Sequence, residues 1–252
     1  MSSAAEALEP TLQNLGLRAM LREYAACIVN AENENWGYRR FLQRLLEIET
    51  AERQSRRIHR LLQDSGLPAE FTLERLRAQD LNDKPRRLLP SLLTGDFVSR
   101  GDNVLCFGLP GRGKSHYVAA VARAIVQQHQ MRVLFIESFR LVSNLLNAKR
   151  DLVLPKYLAQ LGKYDIVCLD DVGYVQHTAD EMEVLFTFLA DRYQQQRTLM
   201  LTSNLVFSEW ERIFKNPMTA MAAIDRLVHR AVILEFVRET SVRETEAQGR
   251  NT

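Results

Sequence analysis

No part of the chain approaches the ~18–20 uninterrupted apolar residues of a membrane-spanning helix. The N-terminus, Met1-Ser2-Ser3-Ala4-Ala5-Glu6, lacks the basic start and apolar run of a secretory signal. Cysteine is scarce: Cys27, Cys106 and Cys168 are odd in number, far apart and without CxxC spacing. That pattern excludes a disulfide framework and a zinc site. Cys106 and Cys168 lie inside apolar runs and read as small core residues. A cytoplasmic, reducing location is expected. There is no internal repeat and no low-complexity segment. Net charge is nearly absent as well, at +2, so any basic surface has to be local.

What is present falls into two halves. Residues 11–65 carry a helical pattern, with apolar positions at Leu12, Leu15, Leu17, Met20, Leu21 and Tyr24. The pattern resumes at Phe41, Leu42, Leu45, Leu46 and Ile48, then at Ile58, Leu61 and Leu62. Spacings of three and four residues give one buried stripe per helix. Asn33, Glu34, Asn35 and Gly37 punctuate the two series, and Ser65-Gly66-Leu67-Pro68 ends the helical region. Seven arginines lie between positions 39 and 60: Arg39, Arg40, Arg44, Arg53, Arg56, Arg57 and Arg60. Only Glu47, Glu49 and Glu52 oppose them. They are candidate contacts to DNA phosphates, and a solvated helix face is the competing reading.

After Gly101 short β-rich runs alternate with helical stretches. The runs are Asn103–Gly108, Arg132–Ile136, Asp165–Asp170, Thr198–Thr202 and Val232–Phe236. Alternation of this kind predicts an α/β domain with a parallel five-stranded sheet covered on both faces. The expected division is a helical N-terminal domain over 1–70, a linker over 71–100 containing Pro85 and Pro90, and a nucleotide-binding domain over 101–252. The polar tail from about Glu244 is expected to fray.

The chemistry concentrates at the ends of the predicted strands. Gly108-Leu109-Pro110-Gly111-Arg112-Gly113-Lys114-Ser115 fits the Gly-x4-Gly-Lys-Ser/Thr pattern between a strand and a helix, here Tyr117–Gln128. Gly108, Gly111 and Gly113 let the backbone aim N–H groups at phosphate oxygens, and the helix start adds partial positive charge. Lys114 is expected at the β- and γ-phosphates of a bound nucleotide, and the Ser115 hydroxyl on Mg²⁺. Arg112 either touches phosphate or points into solvent; His116 reads as packing or solvent-facing. The next apolar run delivers Asp170 and Asp171 to its C-terminal end, where open parallel sheets bind ligands. Asp170 suits Mg²⁺, and Asp171 suits orientation of an attacking water. Thr202-Ser203-Asn204 ends the following strand, placing Asn204 where it can sense the γ-phosphate or the water.

These elements, in this order, resemble the AAA+ class of P-loop ATPases, and residues 101–243 look like its IstB/DnaC-like branch. The resemblance rests on Gly108–Ser115, Leu169-Asp170-Asp171-Val172-Gly173-Tyr174, and Thr202-Ser203-Asn204 with Phe207, Glu209 and Trp210. It also rests on Asp225-Arg226-Leu227 with His229, and on Ser241-Val242-Arg243. Trp36-Gly37-Tyr38, the Glu47–Arg57 helix and Leu61–Pro68 extend it into the N-terminal half.

The resemblance implies Arg226 as an arginine finger acting on a neighbouring subunit's nucleotide, with Arg230 the alternative, and Arg243 as a second sensor. It implies a homo-oligomer with nucleotide at subunit interfaces and an N-terminal domain that grips DNA or a protein. The implied activity is ATP hydrolysis coupled to assembly on double-stranded DNA and recruitment of an IstA-like transposase. The alternative is a DnaC-type helicase loader that binds single strands. A small-molecule kinase fits poorly with the paired acids and Arg226, and a non-hydrolysing scaffold stays open. Two departures stand out: Asp171 occupies a position where many relatives carry Glu, and no separate helical lid is expected after Arg243.

Overall fold

The structure is a computed structural model and describes residues 2–76, 81–173, 178–205 and 225–237, with side chains from residue 8 onward. Tyr174, Phe207, Glu209, Trp210, Ser241, Val242 and Arg243 lie outside the described residues. The chain divides into two compact units, 1–60 and 61–252.

In the first unit, α1 (Ser2–Asn14), α2 (Arg18–Asn33) and α3 (Tyr38–Asp64) follow the predicted periodicity. α3 runs on for four residues past the division. Gly16, at φ 68°, breaks the chain between α1 and α2, a break that the apolar spacing alone does not reveal. Met20, Cys27 and Leu45 are buried, with Leu12, Leu17, Tyr24, Phe41 and Ile48 packed on them.

α2 has no side-chain cap from its own N-cap residue, Leu17. Its exposed amides are met from another helix instead. Glu49 of α3 is buried, and its Oε2 accepts from the Ala19 and Met20 N–H groups at 2.9 and 3.2 Å. A carboxylate at a helix N-terminus satisfies orphan donors and opposes the positive end of the dipole. Arg53 Nε donates to its other oxygen at 2.8 Å.

In the second unit, β1 (Asn103–Phe107), β2 (Val133–Glu137), β3 (Ile166–Val172), β4 (Thr198–Ser203) and β5 (Ala231–Glu235) form one sheet. Its order is β2-β3-β4-β1-β5, and every pairing is parallel. All five strands fall within two residues of the predicted runs. β1 shows why they are legible: Leu105 and Phe107 enter one core cluster, Val104 and Cys106 the other, and all are buried. Strands covered on both faces read as continuous apolar runs. One face is covered by α7 (Ser138–Arg150), α8 (Leu154–Leu161) and α9 (Ala179–Gln194). The other is covered by α6 (Lys114–His129), whose Tyr117–Ala122 and Ile125 are fully buried.

The expected linker over 71–100 needs correction. It contains α4 (Asp83–Leu93) and a short α5 (Asp96–Ser99), and Leu92 and Phe97 are buried beside α6. Tyr117 Oη donates to Pro85 O at 2.9 Å. Arg123 of α6 reaches the carbonyls of Leu67, Pro68 and Phe71, and His116 stacks on Phe71 with ring centroids 4.9 Å apart. Prolines that suggest a linker here sit in a helix: Pro85 is in the first turn of α4, where its missing N–H costs nothing. Of the two readings that the sequence leaves for His116, packing or solvent-facing, the structure shows packing.

Burial by itself pushes the Glu49 carboxyl up. The hydrogen bonds from Arg53, Met20 and Ala19 outweigh burial and hold the carboxyl below its ordinary value. A carboxylate lowered by folding stabilises the fold above its unfolded pKa, and that contribution is lost as pH falls through the folded pKa. Glu49→Ala is expected to destabilise the N-terminal unit by about 1–3 kcal/mol at neutral pH, because two amides lose their acceptor. Hydrogen exchange at Ala19 and Met20 should accelerate, and the gap between wild type and variant should close at strongly acidic pH.

Candidate functional site

The predicted site residues collect at the C-terminal edge of the sheet. Gly108 follows β1 directly. Its φ is 147°, and a Cβ there would lie 2.4 Å from Phe236 O, so only glycine fits. Gly111 and Gly113 also have positive φ, and Gly113 is the N-cap of α6. The first backbone bond of the helix is Tyr117 N–H to Gly113 O. The N–H groups of Lys114, Ser115 and His116 therefore have no acceptor within the helix and form an anion-binding helix start. Ser115 is half-buried in this first turn.

Lys114 is buried, and its Nζ donates to Leu109 O at 2.9 Å and to Asn204 Oδ1 at 2.7 Å. From Asn204 a chain of hydrogen bonds runs through the acidic pair. Asn204 Nδ2 donates to Asp171 Oδ1 at 2.5 Å, and the Asp171 N–H donates to Thr202 Oγ1 at 2.8 Å. Thr202 Oγ1 in turn donates to Asp170 Oδ1 at 2.6 Å. The structure thus brings Lys114, Asp170, Asp171 and Asn204 into one network. Thr202 closes it, a bridging role that a strand-end threonine does not announce in sequence.

The backbone explains how two successive acids both reach this edge. β3 pairs Leu169 with Leu201 and Val172 with Ser203, so three steps on β3 match two on β4. The extra residue is Asp171, at φ 62°. In a regular strand Asp170 and Asp171 would point to opposite faces. The bulge turns Asp171 outward, where it is exposed, while Asp170 is half-buried. Asp tolerates this left-handed conformation better than Glu does. The departure from Glu at this position therefore has a local backbone reason.

Arg226 lies at the other end of the sheet. It lines a cavity of about 230 Å³ with Arg192, Arg197 and Arg230, next to Asn103 and Leu199, which begin β1 and β4. The full length of β1, roughly 15 Å at ~3.3 Å per residue, separates this edge from the phosphate loop. Arg226 packs over the Phe186 ring at 5.1 Å, and its Nη1 is buried without a partner among the described residues. Arg230 is exposed. Arg192, not singled out by its sequence, is fully buried and donates to the carbonyls of Leu161, Tyr164, Asp165 and Thr198. Burial is the main cause that lowers its pKa to about 9.

The seven arginines of α3 do not form one free face. Arg40 lies over Trp36 and pairs with Glu34, Arg44 pairs with Glu47, and Arg53 and Arg56 pair with Glu49. Arg56 also pairs with Glu52. Arg39, Arg57 and Arg60 make no ion pair among the described residues. Arg39 and Arg57 are about five helical turns apart, on one side of α3. Among the described residues no cluster of His, Cys, Asp and Glu forms a metal cage, and no helix is long and apolar enough to cross a membrane.

A five-stranded parallel sheet, a glycine-rich loop into a helix, and an acidic and a polar strand end define the AAA+ class of P-loop ATPases. The fold is shared with the DnaC helicase loader (TM-score 0.53, 19% identity, 62% of this chain and 92% of the other). It is also shared with the replication initiator DnaA bound to AMPPCP and single-stranded DNA (TM-score 0.59, 15% identity, 74% and 57%). Residues 10–249 match the family of IstB-like ATP-binding proteins, and the chain belongs to that family. An insertion-sequence ATP-binding protein of Sinorhizobium fredii is 38% identical over 221 residues, covering 87% of this chain and 74% of the relative. The IS21 ATP-binding protein of Pseudomonas aeruginosa is 31% identical over 237 residues, covering 92% and 87%.

The bulge predicts an ordering of substitutions at position 171. Asp171→Glu is expected to lower stability by about 1 kcal/mol, the scale of strain for a longer side chain at positive φ. Asp171→Asn keeps both the conformational tolerance and an acceptor for Asn204, so its melting temperature should stay within about 1–2 °C of wild type. Thermal denaturation of the three proteins checks the order.

Proposed function

We propose that this chain is an ATP-hydrolysing transposition helper that assembles on double-stranded DNA and recruits a transposase. The observation that carries the enzymatic part is the unbroken network from Lys114 through Asn204, Asp171 and Thr202 to Asp170. Membership of the IstB-like family, and relatives that belong to insertion sequences, support the transposition setting.

ATP bound with Mg²⁺ supplies a phosphoanhydride that water can cleave. Lys114 and the amides at the start of α6 hold the phosphates. Ser115 and Asp170 would hold the Mg²⁺, directly or through its waters, and the ion would neutralise charge on the phosphates. Asp171, outward-facing and oriented by Asn204, aligns the attacking water. Arg226 acts in trans. Its place at the opposite edge of the sheet keeps it from its own subunit's phosphate loop and suits contact with a neighbour's nucleotide. Arg243 is proposed as the second sensor from the family resemblance. The N-terminal unit contributes DNA contacts, led by Arg39, Arg57 and Arg60, which are free of carboxylate partners among the described residues.

Two measurements test this reading. Binding to double-stranded DNA should require ATP, fail in Lys114→Ala, and weaken at least tenfold between about 50 and 200 mM salt as counterions are released. A preference for single strands would instead favour a helicase loader. Lys114→Ala and Arg226→Ala should each be inactive as ATPases, yet a mixture should recover activity, because one subunit's intact loop meets the other's arginine. No recovery on mixing would contradict the trans role.

A further inference from the structure

The phosphate loop holds a second cation whose role neither the family pattern nor the mechanism above assigns. Arg112 sits between Gly111 and Gly113, both at positive φ. Its Nε and Nη1 are shut off from solvent and have no hydrogen-bond partner among the described residues. Arg123 is met by three main-chain carbonyls and Arg192 by four, although one nitrogen each of Arg192 and Arg226 is also buried without a partner among the described residues; Arg112 has two such nitrogens and no side-chain hydrogen bond among those residues. Arg112 is half-buried, and guanidinium donors shut off from water without acceptors are costly. Its position raises the cost. Lys114 is two residues away, and the two residues flank Gly113, the N-cap of α6, where the helix dipole is also positive. An anion with several acceptor oxygens offsets all three at once, and phosphate matches the planar donor fork of arginine.

We propose that Arg112 is a phosphate-binding residue of the nucleotide site, its guanidinium donating to phosphate oxygens of the bound adenine nucleotide. The inference rests on the ATP-site reading above. It makes the loop doubly cationic and ties phosphate binding to relief of a strained electrostatic arrangement. Arg112 therefore trades stability of the nucleotide-free protein for affinity.

That trade gives a test independent of turnover. Wild type, Arg112→Met, Arg112→Lys and Lys114→Ala are each melted without nucleotide and titrated with fluorescent ATP and ADP analogues. Arg112→Met should melt at or above the wild-type temperature, because two shielded donors without acceptors are gone. Its dissociation constant for ATP should rise about tenfold, with Arg112→Lys in between. Loss for both nucleotides places the contact on phosphates they share, and loss for ATP alone places it on the γ-phosphate; either supports the proposal. Unchanged affinity in Arg112→Met overturns it, as does a lower nucleotide-free melting temperature with unchanged affinity, which makes the arginine structural. Failure of wild type itself to bind either nucleotide removes the underlying ATP-site reading, a result distinct from failure of the Arg112 variants alone.

Discussion

The polar edge of the sheet hangs on the one extra residue that β3 carries between Leu169 and Val172. Without the bulge at Asp171, one of the two acids would face a helix layer. With it, Thr202 Oγ1 accepts the Asp171 amide and donates to Asp170, so a single hydroxyl fixes both acids. Asn204 then links Asp171 to Lys114 across the gap between two strand ends. A backbone irregularity in the middle of a sheet persists only where its neighbours over-determine it, and here the neighbours are the site residues themselves.

The rest of the second unit serves to hold that edge in place. β1, β3 and β4 are buried on both faces, and polar residues gather where the strands end. Arg192 ties the far end of α9 to the starts of β3 and β4 through four carbonyls. The two ends of the sheet therefore have separate chemistry: a phosphate-binding end, and an arginine-lined end that carries Arg226.

Much of this was legible in the sequence for a physical reason. Doubly buried strands print as apolar runs, and glycine stands at position 108, where a Cβ would strike Phe236 O. What was not legible depends on partners distant in sequence. The Glu49 carboxylate that caps α2 lies 29 and 30 residues from the amides it accepts. Residues 71–100 look like a linker because their prolines break local patterns, yet Leu92 and Phe97 cover the sheet. Arg112 reads as a variable loop position, and only the packing around it shows two of its nitrogens cut off from water. The arginines of α3 count as a basic cluster in one dimension; in three, their own glutamates take up four of them.

The central claim is that Lys114, Asn204 and the acidic pair act as one coupled unit in binding nucleotide. A double-mutant cycle on ATP affinity, with Lys114→Ala, Asn204→Ala and the pair together, measures this directly. Coupling predicts a non-additive cycle, with an interaction energy of about 0.5–3 kcal/mol. Additive losses, within ~0.3 kcal/mol of zero coupling, would mean that the network is only a neighbourhood and would contradict the account.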